Sequence, residues 1–299
     1  MKIAITGATG FLGRYIVADL TAAAHDCRCW YRDASDRAGL ETMAGYIEWS
    51  PGELGDQSST ESLVHGCDVV VHAALMRTGR SFRGGEGDLL RFTEVNLLGT
   101  LQLIEAARRA GVQRFIFIST CAVHERILHD RPLDECHPLW PLTHYGAHKA
   151  AIEKFVHSFG MGLNYPVCAL RPTGIYGVAR PLSRSKWYDL VHSVRQSKPV
   201  ECTRGGKEVH AADVARAVNL LLTADDIAGE AFNCYDRYIS EYEVATITQE
   251  ITGSQSKITG VPRQPQHQIA TEKICRLGMD FGGEERLRAT IQQLLEGTD

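Results

Sequence analysis

An α/β architecture built on a doubly wound parallel sheet is predicted for this 299-residue chain by three observations. Over the first 170 residues, short apolar runs alternate with segments of helical spacing. Several of the runs are continuously apolar, as in strands buried on both faces. A glycine-spaced turn joins the first run to the first helical segment. Such alternation builds right-handed crossovers, hence a parallel sheet with helices on both faces.

Residues 2–6 form an apolar run ending at Gly7 and read as the first strand. Residues 11–24 place Leu12, Tyr15, Ile16, Ala18 and Leu20 on one broad helical face. Residues 27–31 read as strand, 60–64 as a helix capped by Ser58 or Ser59, and 69–72 as a strand buried on both sides. A long helix over 94–110 is stopped by Gly111. Residues 115–119 read as strand, 144–160 as helix and 167–170 as strand. Beyond Arg171-Pro172 the pattern loosens, punctuated by Pro181, Pro199 and Gly205-Gly206. Residues 214–222 read as helix and 231–235 as a short strand. The expected division is 1–172 with about 209–235 as a dinucleotide-binding domain, and about 173–208 with 236–299 as a smaller, discontinuous substrate-binding part.

Composition bounds the function. Hydrophobic residues make up 44% and charged residues 23%, with a net charge of −4. No basic surplus exists to neutralise phosphates along a nucleic acid. No apolar run reaches the roughly 18 residues of a membrane span. Met1-Lys2-Ile3-Ala4-Ile5-Thr6-Gly7 lacks the pattern of a secretory signal. The nine cysteines are scattered, with no C-x-x-C, so reduced buried thiols in a cytoplasmic protein are expected, and no metal. His124, His129, His137 and His144 share one loop without a zinc spacing.

Gly7-Ala8-Thr9-Gly10-Phe11-Leu12-Gly13 follows the first strand and opens the first helix. Gly7 permits the tight turn, Gly10 lets a pyrophosphate approach the backbone, and Gly13 lets helix and strand pack closely. Free N–H groups at the helix start then face the phosphates. The segment Gly7, Thr9, Gly10, Phe11, Leu12 and Gly13 is thus expected to bind the pyrophosphate of NAD(P). At the end of the second strand a NAD site places a carboxylate. Here Tyr31 occupies that point and Arg32 follows, which favours NADP over NAD, because a guanidinium fork suits a 2′-phosphate. Asp33 is placed to reach a ribose hydroxyl. Asp56 is expected against the adenine, and His72, Ala73 and Ala74 beside the cofactor at a strand end. Asn96 is either a cofactor-site contact or a structural amide bonded to backbone.

Tyr145-Gly146-Ala147-His148-Lys149 opens a helix, so Tyr145 and Lys149 share a face. A phenol with a pKa near 10 needs a neighbouring cation to serve as a base at neutral pH. Lys149 is placed to supply that charge and to hold the nicotinamide ribose. The strand ending Ile118-Ser119-Thr120 adds a hydroxyl to orient a substrate oxygen. This set suits acid–base catalysis beside a hydride carrier.

Gly7-x-x-Gly10-x-x-Gly13, Thr120, Tyr145-x-x-x-Lys149 and Arg171-Pro172-Thr173-Gly174-Ile175-Tyr176-Gly177 together resemble the extended short-chain dehydrogenase/reductase family, in its NAD-dependent epimerase/dehydratase branch. The resemblance implies a Rossmann-type domain, bound NAD(P) and a triad of Thr120, Tyr145 and Lys149, with Ser119 as the neighbour that contests the hydroxyl role. It sets Pro172, Thr173 and Ile175 against the nicotinamide. It also implies a homodimer, with helices 94–110 and 145–160 available as the interface. Two departures stand out. Family 4,6-dehydratases carry Asp-Glu after the triad hydroxyl, where this chain has Cys121-Ala122, which disfavours that reaction. Nucleotide-sugar members carry a diphosphate-gripping arginine just before the histidine matching His210, where this chain has Gly205-Gly206 flanked by Arg204 and Lys207.

The expected activity is therefore an NAD(P)-dependent oxidoreductase or epimerase acting on a secondary alcohol or ketone of a sugar or nucleotide sugar. His124, Arg204 and Lys207 are candidate substrate contacts. Residues 77–88, with four glycines, are a candidate lid. The alternative is a catalytically silent NAD(P)-sensing regulator of the same fold.

Overall fold

The computed structural model describes residues 1–79 and 84–297. The candidate lid at 77–88 includes residues 80–83, which lie outside the described residues.

In chain order the elements are β1 (Lys2–Thr6), α1 (Phe11–Ala22), β2 (Asp26–Tyr31), β3 (Ile47–Pro51), α2 (Gln57–Val64), β4 (Val69–His72) and α3 (Leu89–Thr93). Then follow α4 (Gly99–Arg109), β5 (Arg114–Ile118), α5 (His144–His157), β6 (Val167–Pro172), β7 (Gly174–Tyr176) and α6 (Tyr188–Arg195). The remainder is β8 (Val200–Cys202), β9 (Gly205–His210), α7 (Ala211–Leu221), β10 (Ala231–Cys234), β11 (Arg237–Ser240), α8 (Glu241–Thr252), β12 (Ile258–Gly260), α9 (Glu272–Cys275) and α10 (Gly283–Glu296).

Two compact units result. The first comprises Met1–Pro172, Val214–Cys234 and Ala270–Met279; the second comprises Thr173–Asp213, Tyr235–Ile269 and Asp280–Asp299. These bounds differ from the expected ones at residues 209–213 and at Tyr235, which group with the second unit, and at Ala270–Met279, which groups with the first.

The first unit holds a parallel sheet of order β10-β6-β5-β4-β1-β2-β3 among the described residues. It is the doubly wound, Rossmann-type arrangement. Strands β4 and β6 are buried along their whole length, as their continuous apolar runs require. Chain order reverses between β1 and β4, and in such sheets a ligand crevice opens at the carboxyl ends of the strands flanking that reversal. Thr6 and His72 end those two strands in register.

Local chemistry sets the boundaries that periodicity misses. Asp56 caps α2, its carboxylate accepting from Ser59 N at 2.8 Å, so the helix begins earlier than residue 60. The long helix expected over 94–110 begins at Leu89 and carries a π turn over Glu94–Leu98. A second π turn, Ser158–Gly162, follows α5.

In the second unit β11, β9 and β7 form one sheet and β12 pairs with β8. Tyr176, Leu182, Val191, Ile239, Val244, Leu287 and Ile291 pack into its core.

Candidate active site

The glycine segment has the form a pyrophosphate cradle needs. Gly7 sits at φ +74, and a Cβ there would come 2.8 Å from the Ala73 carbonyl carbon and the Ala74 nitrogen. A Cβ on Gly13 would overlap the Gly7 carbonyl oxygen and stand 2.8 Å from Ala8 Cα. Gly10 occupies the N-cap of α1, which has no side-chain cap and no acidic residue in its first turn. The amides of Phe11 and Leu12 thus begin a helix whose own side chains leave its positive end to an anion.

His72 ties this segment to the neighbouring helix. Its Nδ1 lies 2.6 Å from Thr6 Oγ1 and its Nε2 lies 2.9 Å from Thr100 Oγ1. Thr6 Oγ1 in turn accepts from Ala74 N at 3.1 Å. Burial holds the imidazole down to about 3, so it is neutral and bridges two hydroxyls. Asn96 is spent on backbone: Oδ1 accepts from Met76 N at 2.7 Å, and Nδ2 donates to Met76 O and Phe92 O. Of the two readings of Asn96, its contacts are those of the structural amide. Asp56 is exposed and holds the start of α2.

At the end of β2, Arg32 and Asp33 are exposed, and Arg32 N donates to Ser35 Oγ at 2.9 Å. Two further arginines stand nearby in the fold. Arg37 stacks over Tyr31 at 4.6 Å, and Arg14 donates to the carbonyls of Ala38 and Asp36.

The triad candidates converge. Thr143 caps α5 by accepting from Gly146 N at 3.1 Å, and Glu125 fixes that start by accepting from Thr143 N at 2.8 Å and Leu142 N at 2.5 Å. Gly146 allows close approach: a Cβ there would come 2.7 Å from Ala122 O. The Tyr145 side chain is hydrogen-bonded to Thr120. Burial pushes the phenol above its ordinary value, while the Thr120 hydrogen bond and the Arg77 charge oppose that. Lys149 is 5% exposed and donates to Ile118 O at 2.7 Å, with its ammonium 4.4 Å from the Phe117 ring centre. Burial holds it down to about 7.

Behind the triad lies a network the sequence reading missed. Ser119 Oγ donates to Glu153 Oε1. Arg171 donates to both oxygens of Glu153, with Nη2 2.6 Å from Oε2. Its Nη1 meets His124 Nε2 at 3.2 Å, and His124 Nδ1 lies 3.3 Å from Pro138 O. His124 is therefore 5% exposed, with both ring nitrogens engaged inside this network. Glu153 follows Lys149 by four residues, the same spacing that separates Tyr145 from Lys149, which is the signal that points to it.

Pro172 is buried at the end of β6. In the second unit, Thr173 and Ile175 are half-buried, Arg204 is exposed and Lys207 is half-buried on β9. Among the described residues no cluster of His, Cys, Asp and Glu forms a metal site. None of their helices is long and apolar enough to cross a membrane.

A sequence profile described as the NAD dependent epimerase/dehydratase family matches residues 3–234. The chain is 27% identical to a dTDP-D-glucose 4,6-dehydratase of Mus musculus, over 97% of this chain and 88% of the relative. It is 28% identical to a 4-hydroxy-2-methyl-3-oxo-4-farnesyl-3,4-dihydroquinoline-1-oxide ketoreductase of Stigmatella aurantiaca, over 88% of this chain and 77% of the relative. Its fold matches that of a Thermus thermophilus UDP-glucose 4-epimerase solved in complex with NAD, with a TM-score of 0.79, 23% identity and 100% coverage of both chains.

Proposed function

Since the chain belongs to the NAD-dependent epimerase/dehydratase family, we propose that it is an NAD(P)-dependent oxidoreductase or epimerase acting on a secondary alcohol or ketone of a sugar or nucleotide sugar. The observation that carries this reading is the hydrogen-bonded pair of Tyr145 and Thr120, with buried Lys149 one helical turn from the phenol.

The amides of the Gly7–Gly13 segment would hold the cofactor, with Ala73 and Ala74 beside it and Lys149 at its nicotinamide end. When bound, the nicotinamide supplies a hydride acceptor or donor. The residues of this chain handle the proton. Tyr145 gives a proton to a carbonyl oxygen or takes one from a hydroxyl. Thr120 orients that oxygen. Ser119 is left out of this role because its hydroxyl is committed to Glu153. Lys149, when protonated, favours the phenolate.

Elimination of water is disfavoured. Cys121 lies where a family dehydratase carries an acid, but its thiol is pushed up to about 12 by burial and lies 3.0 Å from Arg171 O, and Ala122 has no titrating group.

NADP is the preferred cofactor in this reading. Arg32 is exposed directly after β2 and Arg37 stacks over Tyr31 at the same strand end, while Arg14 is engaged by Asp36 and the Ala38 carbonyl; the first acid after the strand is Asp33. Arg32→Ala should weaken NADP about tenfold and leave NAD unchanged; a wild-type protein that binds NAD more tightly would overturn the preference. A homodimer fits the exposure of Leu98 and Phe155 on the helices expected to pair, and light scattering of the purified chain checks it.

The test is to incubate the protein with NAD or NADP and a panel of sugars and nucleotide sugars, following the absorbance of reduced nicotinamide and the product stereochemistry. Net redox identifies an oxidoreductase, and a new epimer without net redox identifies an epimerase. Bound cofactor with neither outcome contradicts the proposal and favours the silent regulator.

A further inference from the structure

Glu208 lies within β9 of the second unit, and strand alternation puts it on the same face as Gly206 and His210. It is 3% exposed. Its Oε1 accepts from Lys186 Nζ at 2.5 Å. Its Oε2 has no hydrogen-bond partner among the described residues. A buried carboxylate oxygen without a donor is costly, and such orphans mark places where a partner is meant to arrive.

The strands make room for this carboxylate. Gly174 is the register partner of Glu208 in β7, and a Cβ on it would come within 2.5 Å of Oε2. A Cβ on Gly206 would strike Oε1. Gly174 is itself exposed and carries no side chain to cover the orphan oxygen. Beside it, Trp187 is held at φ +66, a left-handed conformation that bulky residues rarely adopt. The Lys186 ammonium sits 5.1 Å from the centre of that indole. One loop therefore supplies both a cation for the acid and an aromatic face next to it.

The charge balance selects the occupant. Glu208 and Lys186 together are neutral. A cation added at Oε2 would give the pair a net positive charge, and an anion would meet the carboxylate head-on. An uncharged O–H donor satisfies the oxygen and disturbs neither, and an aromatic face beside it suits the C–H side of a ring. We propose that Glu208, Lys186 and Trp187 form a subsite for an uncharged, hydroxyl-bearing ring of the substrate, with Oε2 accepting a ring hydroxyl, and that this subsite rejects a diphosphate. The inference rests on the functional reading above and specifies which part of a sugar substrate the second unit takes.

The test is calorimetric titration of the full chain with methyl glycosides of glucose, galactose and mannose, and separately with UDP. At least one glycoside should bind the wild type. Glu208→Ala should weaken it about tenfold or more. Gly174→Ala, which crowds Oε2 without touching the acid, should do the same. Glu208→Gln keeps an acceptor and should lose less. UDP should bind Glu208→Ala as well as, or better than, wild type. Absence of glycoside binding to the wild type, glycoside binding unchanged in the variants, or UDP weakened by loss of the carboxylate would each overturn the proposal. Thermal unfolding by circular dichroism reports which variants fold, and Gly174→Ala with Glu208→Gln decide the matter if Glu208→Ala does not. The titration needs no hydride transfer. Glycosides that bind while the sugar panel with NAD or NADP gives neither redox nor epimerisation would therefore fail the functional reading and leave this subsite standing.

Discussion

Glu153 and Arg171 form an ion pair in which each side chain is only 4% exposed, with Arg171 Nη2 2.6 Å from Glu153 Oε2. The pair joins α5 to the end of β6 directly behind Ser119 and the triad. Removing one partner leaves an uncompensated charge in the interior, so Glu153→Gln should cost about 3–5 kcal/mol. Replacing both, as Glu153→Leu with Arg171→Met, should recover most of that loss. Denaturant midpoints of the single and double variants check this.

The adjacent hydroxyls should separate by function. Ser119 donates to Glu153 and Thr120 bonds Tyr145. Ser119→Ala should lower stability by about 1–3 kcal/mol with turnover largely kept, whereas Thr120→Val should lower turnover by about a hundredfold with stability largely kept. Parallel melts and steady-state assays give the comparison.

Much of this arrangement is legible in the sequence, for physical reasons. β1, β4, β5 and β6 are continuous apolar runs because helices cover both of their faces, and the glycine spacing marks a turn that only bare backbone can make. β3 reads Ile-Glu-Trp-Ser-Pro, a mixed run ending in proline, as an edge strand with one pairing partner allows, and it escapes detection. The π turn at Glu94–Leu98 has no periodic signature. His72 and His124 stand at strand and loop ends, where sequence suggests ligand contact, yet both have their ring nitrogens engaged inside the protein. The second unit is read least well because its strands are short and β9 opens with two glycines.

Helix α1 packs on β1 only because Gly13 has no side chain. Gly13→Ala forces a methyl against the Gly7 carbonyl and Ala8 Cα, which should cost about 1–3 kcal/mol and displace the amides proposed to cradle the cofactor. The expected outcome is a folded, less stable protein whose NAD(P) binding is weakened at least tenfold. Calorimetry and thermal unfolding on the same sample check both effects.

Lys149 links stability to pH. In the unfolded chain a lysine keeps its proton up to about 10.4, whereas burial holds Lys149 down to about 7 in the fold. Between those values the unfolded state binds more protons, so stability should rise with pH across that window. Lys149→Met should flatten the rise. Urea midpoints across about pH 7 to 10 for both proteins give the slope.

In the proposed mechanism every proton transfer to or from the substrate passes through the Tyr145 phenol. Tyr145→Phe removes one oxygen and keeps the ring beside His148. Turnover of the substrate found in the sugar panel should fall by about a thousandfold or more, while the NAD(P) dissociation constant stays within about twofold of wild type. Turnover that persists near the wild-type rate with cofactor still bound would contradict the mechanism.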